Sequence, residues 1–303
     1  MRVADEVRAA LAAGEPVLAL ESTIFTHGLP RPRNLEVALG AVAQLREAGV
    51  TGATIGVLDG VPVVGLNDEE IERLATEEVR KLSVRDLPVA VATGSSGGTT
   101  VAATAYLAHR AGIAVMSTGG LGGVHRGAST TFDESADLTT LAVTPIAVVS
   151  SGVKSILDIG ATLERLETLN IPVVGYRTNA YPGFYIADSG FAVEQRIDEP
   201  AEAAALIAAR DALGLTAAVL IANPVAVGKQ LAPDLHDAVL ADALAAAERE
   251  GISGHDTTPF LLDHMQRATG GASLDVNVDV YRGNVAVGAR IARALATLRT
   301  VAR

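Results

Sequence analysis

Only three lysines, Lys81, Lys154 and Lys229, stand among the 24 Lys and Arg residues of this 303-residue chain. In an arginine-rich chain a spare lysine drifts easily to arginine. One that stays can do what a guanidinium cannot, which is to lose its proton and act as a nucleophile. Chance survival of three lysines is the plainer alternative. Lys154 follows the apolar run IAVVSSG, and the stretch KSILDIGATLERLETLN after it has helical spacing. This predicts Lys154 in the first turn of a helix at the mouth of a buried strand, where a positive helix end and partial desolvation favour the neutral amine. Such an amine adds to a sugar aldehyde and forms an imine. Glu21 ends a second apolar run, PVLALEST. A carboxyl group there holds its proton to higher pH than usual and can act as a general acid; capping a helix or pairing with a buried cation are its other possible roles.

Two glycine-rich segments follow strand-like runs. Gly94–Thr100 offers small residues and hydroxyls after LPVAVATG, a pattern suited to an anion such as phosphate at a helix N-terminus. It matches neither a Walker A loop nor a dinucleotide fingerprint, and plain turn chemistry would look the same. Gly119–Gly127 holds five glycines in nine residues, with His125 and Arg126 near its end. So many glycines imply unusual backbone angles or a close approach to a ligand. The segment leads into Asp133, Ser135 and Asp137, whose two carboxylates and hydroxyl can converge on one site. Hard oxygen donors of this kind suit Mg²⁺ or Mn²⁺, and a solvated acidic turn capping a helix would use the same residues.

These side chains need a frame that brings strand ends together. Short Val- and Ile-rich runs (PVLALEST, ATIGVLDGVPVVG, LPVAVATG, IAVMSTGG, IAVVSSG, IPVVGYRT, AAVLIANP) alternate with longer Ala-, Leu-, Glu- and Arg-rich stretches of helical period. The alternation predicts an α/β fold of three layers, α/β/α, around a mainly parallel central sheet. Ligands in such sheets sit at the carboxyl ends of the strands. No linker or repeat breaks the pattern, so residues 1–303 read as one catalytic domain closed by a helix over roughly 284–301. The absence of cysteine excludes disulfides and thiolate catalysis. A net charge of −11 and an aromatic content of 3% without tryptophan argue against a nucleic-acid surface and point to a small-molecule substrate. No stretch of the sequence is long and apolar enough to span a membrane, and the opening residues lack the pattern of a signal peptide, so a cytoplasmic location is expected.

In chain order ALEST, HGLPRP, KLSVRDLP, GTTVAATA, STGGLGGVHRG, TFDESADL, SGVKSILD, VVGYRTN, ANP, TPFLLD and SLDVNV resemble the pseudouridine-5′-phosphate glycosidases, including the members from indigoidine clusters. The likeness is collinear over roughly residues 15 to 298. It implies reversible exchange between pseudouridine 5′-phosphate and uracil plus ribose 5-phosphate, with a divalent metal, usually Mn²⁺, and a homotrimeric assembly. On this resemblance Glu21 is the proton donor, Lys154 the covalent amine and Asp133 the metal ligand. Lys81, Val101, Ser135, Ala136 and Asp137 contact the substrate, with His125 in the adjacent glycine-rich loop, and Asn277 faces the base. A carbon–carbon glycosidic bond has no leaving-group oxygen to protonate, so the two-carboxylate scheme of ordinary glycosidases does not apply. An imine at C1′ supplies the electron sink instead.

The chain departs from the family pattern at Gly94-Ser95, Gly254-His255 and Gly283-Asn284, which bears on the aglycone and subunit contacts more than on the sugar. The alternative reading within the same chemistry is a C-glycosynthase of the alnumycin type, joining ribose 5-phosphate to an aromatic polyketide. Outside it stand a sugar-phosphate-binding protein without catalysis, which Glu21, Lys154 and Asp133 together disfavour, and a nucleotide-dependent kinase, for which no phosphate-gripping lysine motif is present.

Overall fold

Strands begin where β-branched runs must be buried on both sides. The computed structural model describes residues 1–252 and 257–301. Its strands are β1 (Arg2–Val3), β2 (Val17–Leu20), β3 (Thr51–Leu58), β4 (Val61–Val64), β5 (Arg80–Leu82), β6 (Gly97–Thr99), β7 (Val115–Ser117), β8 (Ala147–Ser150), β9 (Val173–Tyr176), β10 (Gln195–Ile197) and β11 (Val219–Ala222). The helices are α1 (Asp5–Ala13), α2 (Arg33–Glu47), α3 (Asp68–Thr76), α4 (Leu87–Thr93), α5 (Val101–Arg110), α6 (Ala128–Thr131), α7 (Ala136–Leu141), α8 (Ile159–Thr168), α9 (Pro200–Ala212), α10 (Pro233–Glu250), α11 (Thr257–Ala268) and α12 (Ala272–Val301). All strands join one 11-stranded sheet in the order β1-β4-β3-β2-β7-β8-β11-β9-β10, with β6 beside β3 and β5 beside β6. The pairs β3–β4 and β3–β6 are antiparallel, and the rest are parallel.

Alternate residues of a strand face opposite sides. Val17 and Ala19 of β2 pack with α1, α5, α7 and α10, whereas Leu18 and Leu20 pack with α2, α3, α9 and α12. Helices therefore cover both faces, as the α/β/α expectation required. Parallel neighbours β2, β7, β8 and β11 end level with one another: Leu20 lies opposite Ser117, Ser117 opposite Val149, and Ser150 opposite Ala222. The residues that follow, Glu21, Thr118, Ser151 and Asn223, consequently form a row along one sheet edge.

Three local expectations differ from the structure. LPVAVATG forms the helix α4 rather than a strand; Leu87 and Ala90 are buried one turn apart, while Val89 and Val91 are exposed. Gly94 then caps that helix and Gly97–Thr99 is itself a strand, lying so close to the turn after β2 that a side chain at Gly98 would begin 2.2 Å from the Thr26 hydroxyl. Its glycines serve packing, and Thr100 rather than a glycine starts α5. The closing helix begins at Ala272, twelve residues before the expected start. The departure at Gly254-His255 lies outside the described residues.

Helix α12 reaches the sheet edge because Gly288 lets it touch β7 and β2. A β-carbon there would lie 2.1 Å from the Ser117 hydroxyl and 2.9 Å from Leu18. Overpacking of this kind costs about 1–3 kcal/mol, against the roughly 1 kcal/mol of helix propensity that alanine gains over glycine. Gly288→Val is therefore expected to lower the melting temperature by several degrees in calorimetry, with Gly40→Ala, which meets nothing within 4 Å, as the neutral or stabilised control.

Candidate active site

Glu21 leaves β2 into a layer of buried hydroxyls. Its two carboxylate oxygens accept from Thr118 and Thr23, and the residue is 6% exposed. Beside it the Ser22 hydroxyl donates to the Ile55 carbonyl and accepts from the Thr99 amide, stitching the end of β2 to β3 and β6. Burial raises the Glu21 pKa above the ordinary carboxylate range, as the sequence implied. The Lys154 charge and the hydroxyls of Thr118 and Thr23 oppose that rise, and the Asp137 carboxylate adds to it. Lys154 and Asp137 thus act on Glu21 directly, although 133 and 116 residues separate them in sequence.

Lys154 is half-buried, but it lies in no helix. Residues 152–158 lie beside the glycine-rich loop, with a turn at Lys154–Leu157: Leu121 N donates to Gly152 O, Lys154 N to Leu121 O, and Asp158 N to Val124 O, while Leu157 N donates to Lys154 O. Helix α8 starts only after Asp158, whose side chain accepts from the Ala161 amide. The positive helix end expected beside Lys154 is therefore absent, and backbone pairing with the glycine-rich loop holds it instead. Gly152 is needed at the bend. It has φ 76°, and a side chain there would meet the Pro182 carbonyl at 2.4 Å.

Asp137 and Asp133 take different partners. The Asp137 carboxylate accepts from the amides of Ala102 (2.9 Å) and Gly122 (2.8 Å), tying α5 to the glycine-rich loop. Ser135 caps α7 by accepting from the Asp137 amide, and Ala136 is the first residue of that helix. Gly122 makes room for this packing, since a β-carbon there would lie 2.2 Å from the Ser135 hydroxyl. Val101 opens α5, where its N–H has no carbonyl partner within the helix. In that turn the Ala102 and Ala103 amides are taken by Asp137 and Thr100, which leaves the Val101 N–H as the donor for an anion.

Asp133 stands further out beside His125, with Oδ2 and Nδ1 3.8 Å apart, and the His125 amide donates to the Asp133 carbonyl. Among the described residues no group of three or more His, Asp or Glu side chains is arranged to hold a metal. One carboxylate and one imidazole would suit a divalent ion that keeps most of its water.

Lys81, on β5, keeps one side open to solvent. Desolvation and then the Lys154 charge nonetheless hold its ammonium below the ordinary lysine range, while Asp137 and Glu21 pull it back up. His27, in the turn after Glu21, is pushed down by burial and by Lys81. Lys81, Lys154, Asp137 and Glu21 therefore feel one another across one cluster. Asn277, half-buried on α12, brings its Oδ1 3.6 Å from the point where a side chain at Gly119 would start, and the Phe184 ring lies 3.5 Å from the same point. These two residues flank the start of the glycine-rich loop.

Residue typing left several neighbours without a role. Tyr281 is buried on α12, and burial, then the Glu21 charge, keep it a neutral phenol. Thr118 stands near the end of the run IAVMSTGG, and its bond to Glu21 depends on β7 lying beside β2. Asn284 was noticed only as half of a departure from the family pattern.

With this geometry in view, comparison with known proteins is specific. The family model for indigoidine synthase A like protein matches residues 6–294. The chain is 68% identical over 295 residues to the pseudouridine-5′-phosphate glycosidase of Saccharopolyspora erythraea, covering 97% of both chains. It is 60% identical to the protein of that name from Frankia alni, covering 97% of this chain and 82% of that one. Among solved structures it is similar to the prealnumycin C-glycosynthase AlnA in complex with ribulose 5-phosphate, at a TM-score of 0.92 and 38% identity over 99% of this chain and 98% of that one. An indigoidine synthase A-like protein from Thermotoga maritima gives a TM-score of 0.88 at 37% identity, over 97% and 96% of the two chains. The buried acid, the loop-held lysine and the sheet that aligns them are those of a chain that belongs to the indigoidine synthase A-like family.

Proposed function

We propose that the protein is a pseudouridine-5′-phosphate glycosidase, an enzyme that reversibly breaks and makes the carbon–carbon bond between ribose 5-phosphate and uracil. The observation that carries this reading is a buried, proton-retaining Glu21 after β2, coupled to Lys154 beyond the end of β8, in a chain 68% identical over nearly its whole length to a protein of that name.

In the cleavage direction Lys154 Nζ, as the neutral amine, adds to C1′ while the ring oxygen leaves as a hydroxyl, taking the extra proton of that nitrogen. The bond from C1′ to the base then breaks. The nitrogen lone pair closes the C=N bond, and the released electron pair goes to the base carbon, which takes the Glu21 proton. Water hydrolyses the imine, returning ribose 5-phosphate and the free amine. Lys81, the Val101 N–H, Ser135, Ala136 and Asp137 would hold the sugar phosphate, with His125 at its edge and Asn277 facing the base. Asp133, assisted by His125, would hold Mn²⁺, whose charge offsets that of the phosphate. A homotrimer in the cytoplasm belongs to the same proposal; no described helix is long and apolar enough to cross a membrane.

The likeness to AlnA supports a second reading in which an aromatic polyketide replaces uracil. The higher identity to the glycosidases favours uracil. Incubation with ribose 5-phosphate, Mn²⁺ and uracil is expected to yield pseudouridine 5′-phosphate. Borohydride should then trap ribose 5-phosphate on Lys154. Lys154→Ala is expected to lose both adduct and turnover, whereas Glu21→Gln keeps the adduct and loses turnover by at least about 100-fold, the scale of one general acid. An adduct without pseudouridine 5′-phosphate would turn the assignment to the polyketide acceptor, and no adduct at all would end it.

Cleavage needs Glu21 protonated, so kcat should fall as pH rises through its elevated pKa. The Thr118 hydroxyl stabilises the carboxylate form, so Thr118→Val raises that pKa further and moves the alkaline limb of the kcat profile to higher pH. A limb that stays put or moves down would contradict the acid role.

Manganese binding separates from catalysis. Asp133→Ala is expected to weaken Mn²⁺ binding in the presence of ribose 5-phosphate by roughly 10- to 100-fold, read by electron paramagnetic resonance of free Mn²⁺. Unchanged binding would remove Asp133 from the metal site.

A further inference from the structure

Asn284 is a fully buried polar side chain in the middle of a 30-residue helix. Such a position ordinarily favours an apolar residue, because an amide taken out of water must find every partner or destabilise the fold. Asn284 finds them all on the sheet edge. Its Nδ2 donates to the carbonyls of Thr118 (2.8 Å) and Gly119 (3.1 Å) and lies 3.3 Å from the Ser151 hydroxyl. Its Oδ1 accepts from Asn223 Nδ2 at 2.8 Å. The two carbonyls fix the orientation of the amide, since the flipped form would set oxygen against oxygen. Ser151 is tied in again, its hydroxyl donating to the Asn223 carbonyl at 2.7 Å.

One amide therefore touches the ends of β7, β8 and β11 together. Thr118 is the residue whose hydroxyl donates to Glu21, and Ser151 opens the four-residue path to Lys154. The Thr118 backbone is held on one side by the Val149 carbonyl and on the other by Asn284, which determines where its hydroxyl points. Gly288, one turn further along α12, brings the helix against β7, and the Ser117 hydroxyl donates to the Asn284 carbonyl at 3.0 Å.

We infer that Asn284 is a positioning residue that holds Thr118, the hydroxyl donor to Glu21, in one register with the strand end that leads to Lys154, so that the sugar adduct on Lys154 meets the Glu21 proton. The inference rests on the glycosidase reading. It separates two steps: imine formation from ribose 5-phosphate uses Lys154 alone, whereas cleavage of the carbon–carbon bond needs Lys154 and Glu21 aligned. Misalignment near 1 Å can cost about 100-fold in the aligned step.

The test compares wild type with Asn284→Leu and Asn284→Asp, both close in shape to asparagine. Borohydride trapping of ribose 5-phosphate on Lys154 should stay within about threefold of wild type, and so should KM, while kcat for pseudouridine 5′-phosphate cleavage falls roughly 100-fold. The alkaline limb of kcat should move upward as in Thr118→Val, and the double variant should shift it no further, because both changes remove the same contact. In Asn284→Asp a protonated carboxyl can donate to the Thr118 carbonyl and an ionised one cannot, so its activity relative to wild type should climb as pH falls. This second variant decides the matter if Asn284→Leu does not fold: a ratio independent of pH overturns the inference. So does a kcat within threefold of wild type, or a proportional loss of trapping and turnover with the limb unmoved. Wild-type protein that neither traps ribose 5-phosphate nor cleaves pseudouridine 5′-phosphate overturns the glycosidase reading and this inference with it. Variants that match a fully active wild type overturn the inference alone.

Discussion

A carboxyl group taken out of water beside an amine is the constraint on which this site depends. Burial favours the protonated acid, and the neighbouring Lys154 charge favours the carboxylate. Each pKa unit by which one influence exceeds the other is worth about 1.4 kcal/mol, so the protonation state of Glu21 follows the charge state of Lys154. On the proposed reaction this coupling has a direction. While Lys154 carries its ammonium it draws Glu21 toward the carboxylate; once that nitrogen is the neutral amine of the sugar adduct the pull is gone. Burial then keeps the proton on the acid when the base carbon requires it.

Keeping these groups together falls to the sheet rather than to a loop. Parallel pairing sets the ends of β2, β7, β8 and β11 level, which no local sequence could do for residues more than 90 positions apart. The loops beyond these ends are then paired with each other, and residues without side chains permit the approach: Gly122 under Ser135, and Gly152 under the Pro182 carbonyl. Asp137, receiving two amides from different elements, adds a third tie that fixes the start of α5 against the glycine-rich loop. Rigidity of this kind suits a reaction in which one proton must reach one carbon.

Much of this was legible in the residues. Val- and Ile-rich runs marked β2, β7, β8 and β11, and the rule that ligands gather at strand ends singled out Glu21 and Lys154 before any coordinates. LPVAVATG departs from the strand expectation because its six-residue apolar run fits either period; its burial at Leu87 and Ala90 follows the helical one. The position of Lys154 failed for a related reason: helical spacing in KSILDIGATLERLETLN hid the start signal at Asp158, and the pairing of Val153 with Leu121 is non-local. Thr118, Asp137 and Asn284 acquire their roles only through partners far away in sequence, so their types alone could not assign them.

The departures from the family pattern can now be weighed by position. Gly94 and Ser95 sit in a surface turn against the Asp59–Gly60 hairpin, with the Gly60 amide donating to the Ser95 carbonyl. They leave the acid, the amine and the anion pocket untouched. Gly283 is different, because a side chain there would begin 3.9 Å from Asn223 Nδ2, at the rim of the network that Asn284 closes. Its glycine removes a second polar side chain from that rim while Asn284 keeps all its partners. The sugar chemistry thus retains its full set of supports, and the change falls on what surrounds Asn223, not on the acid or the amine.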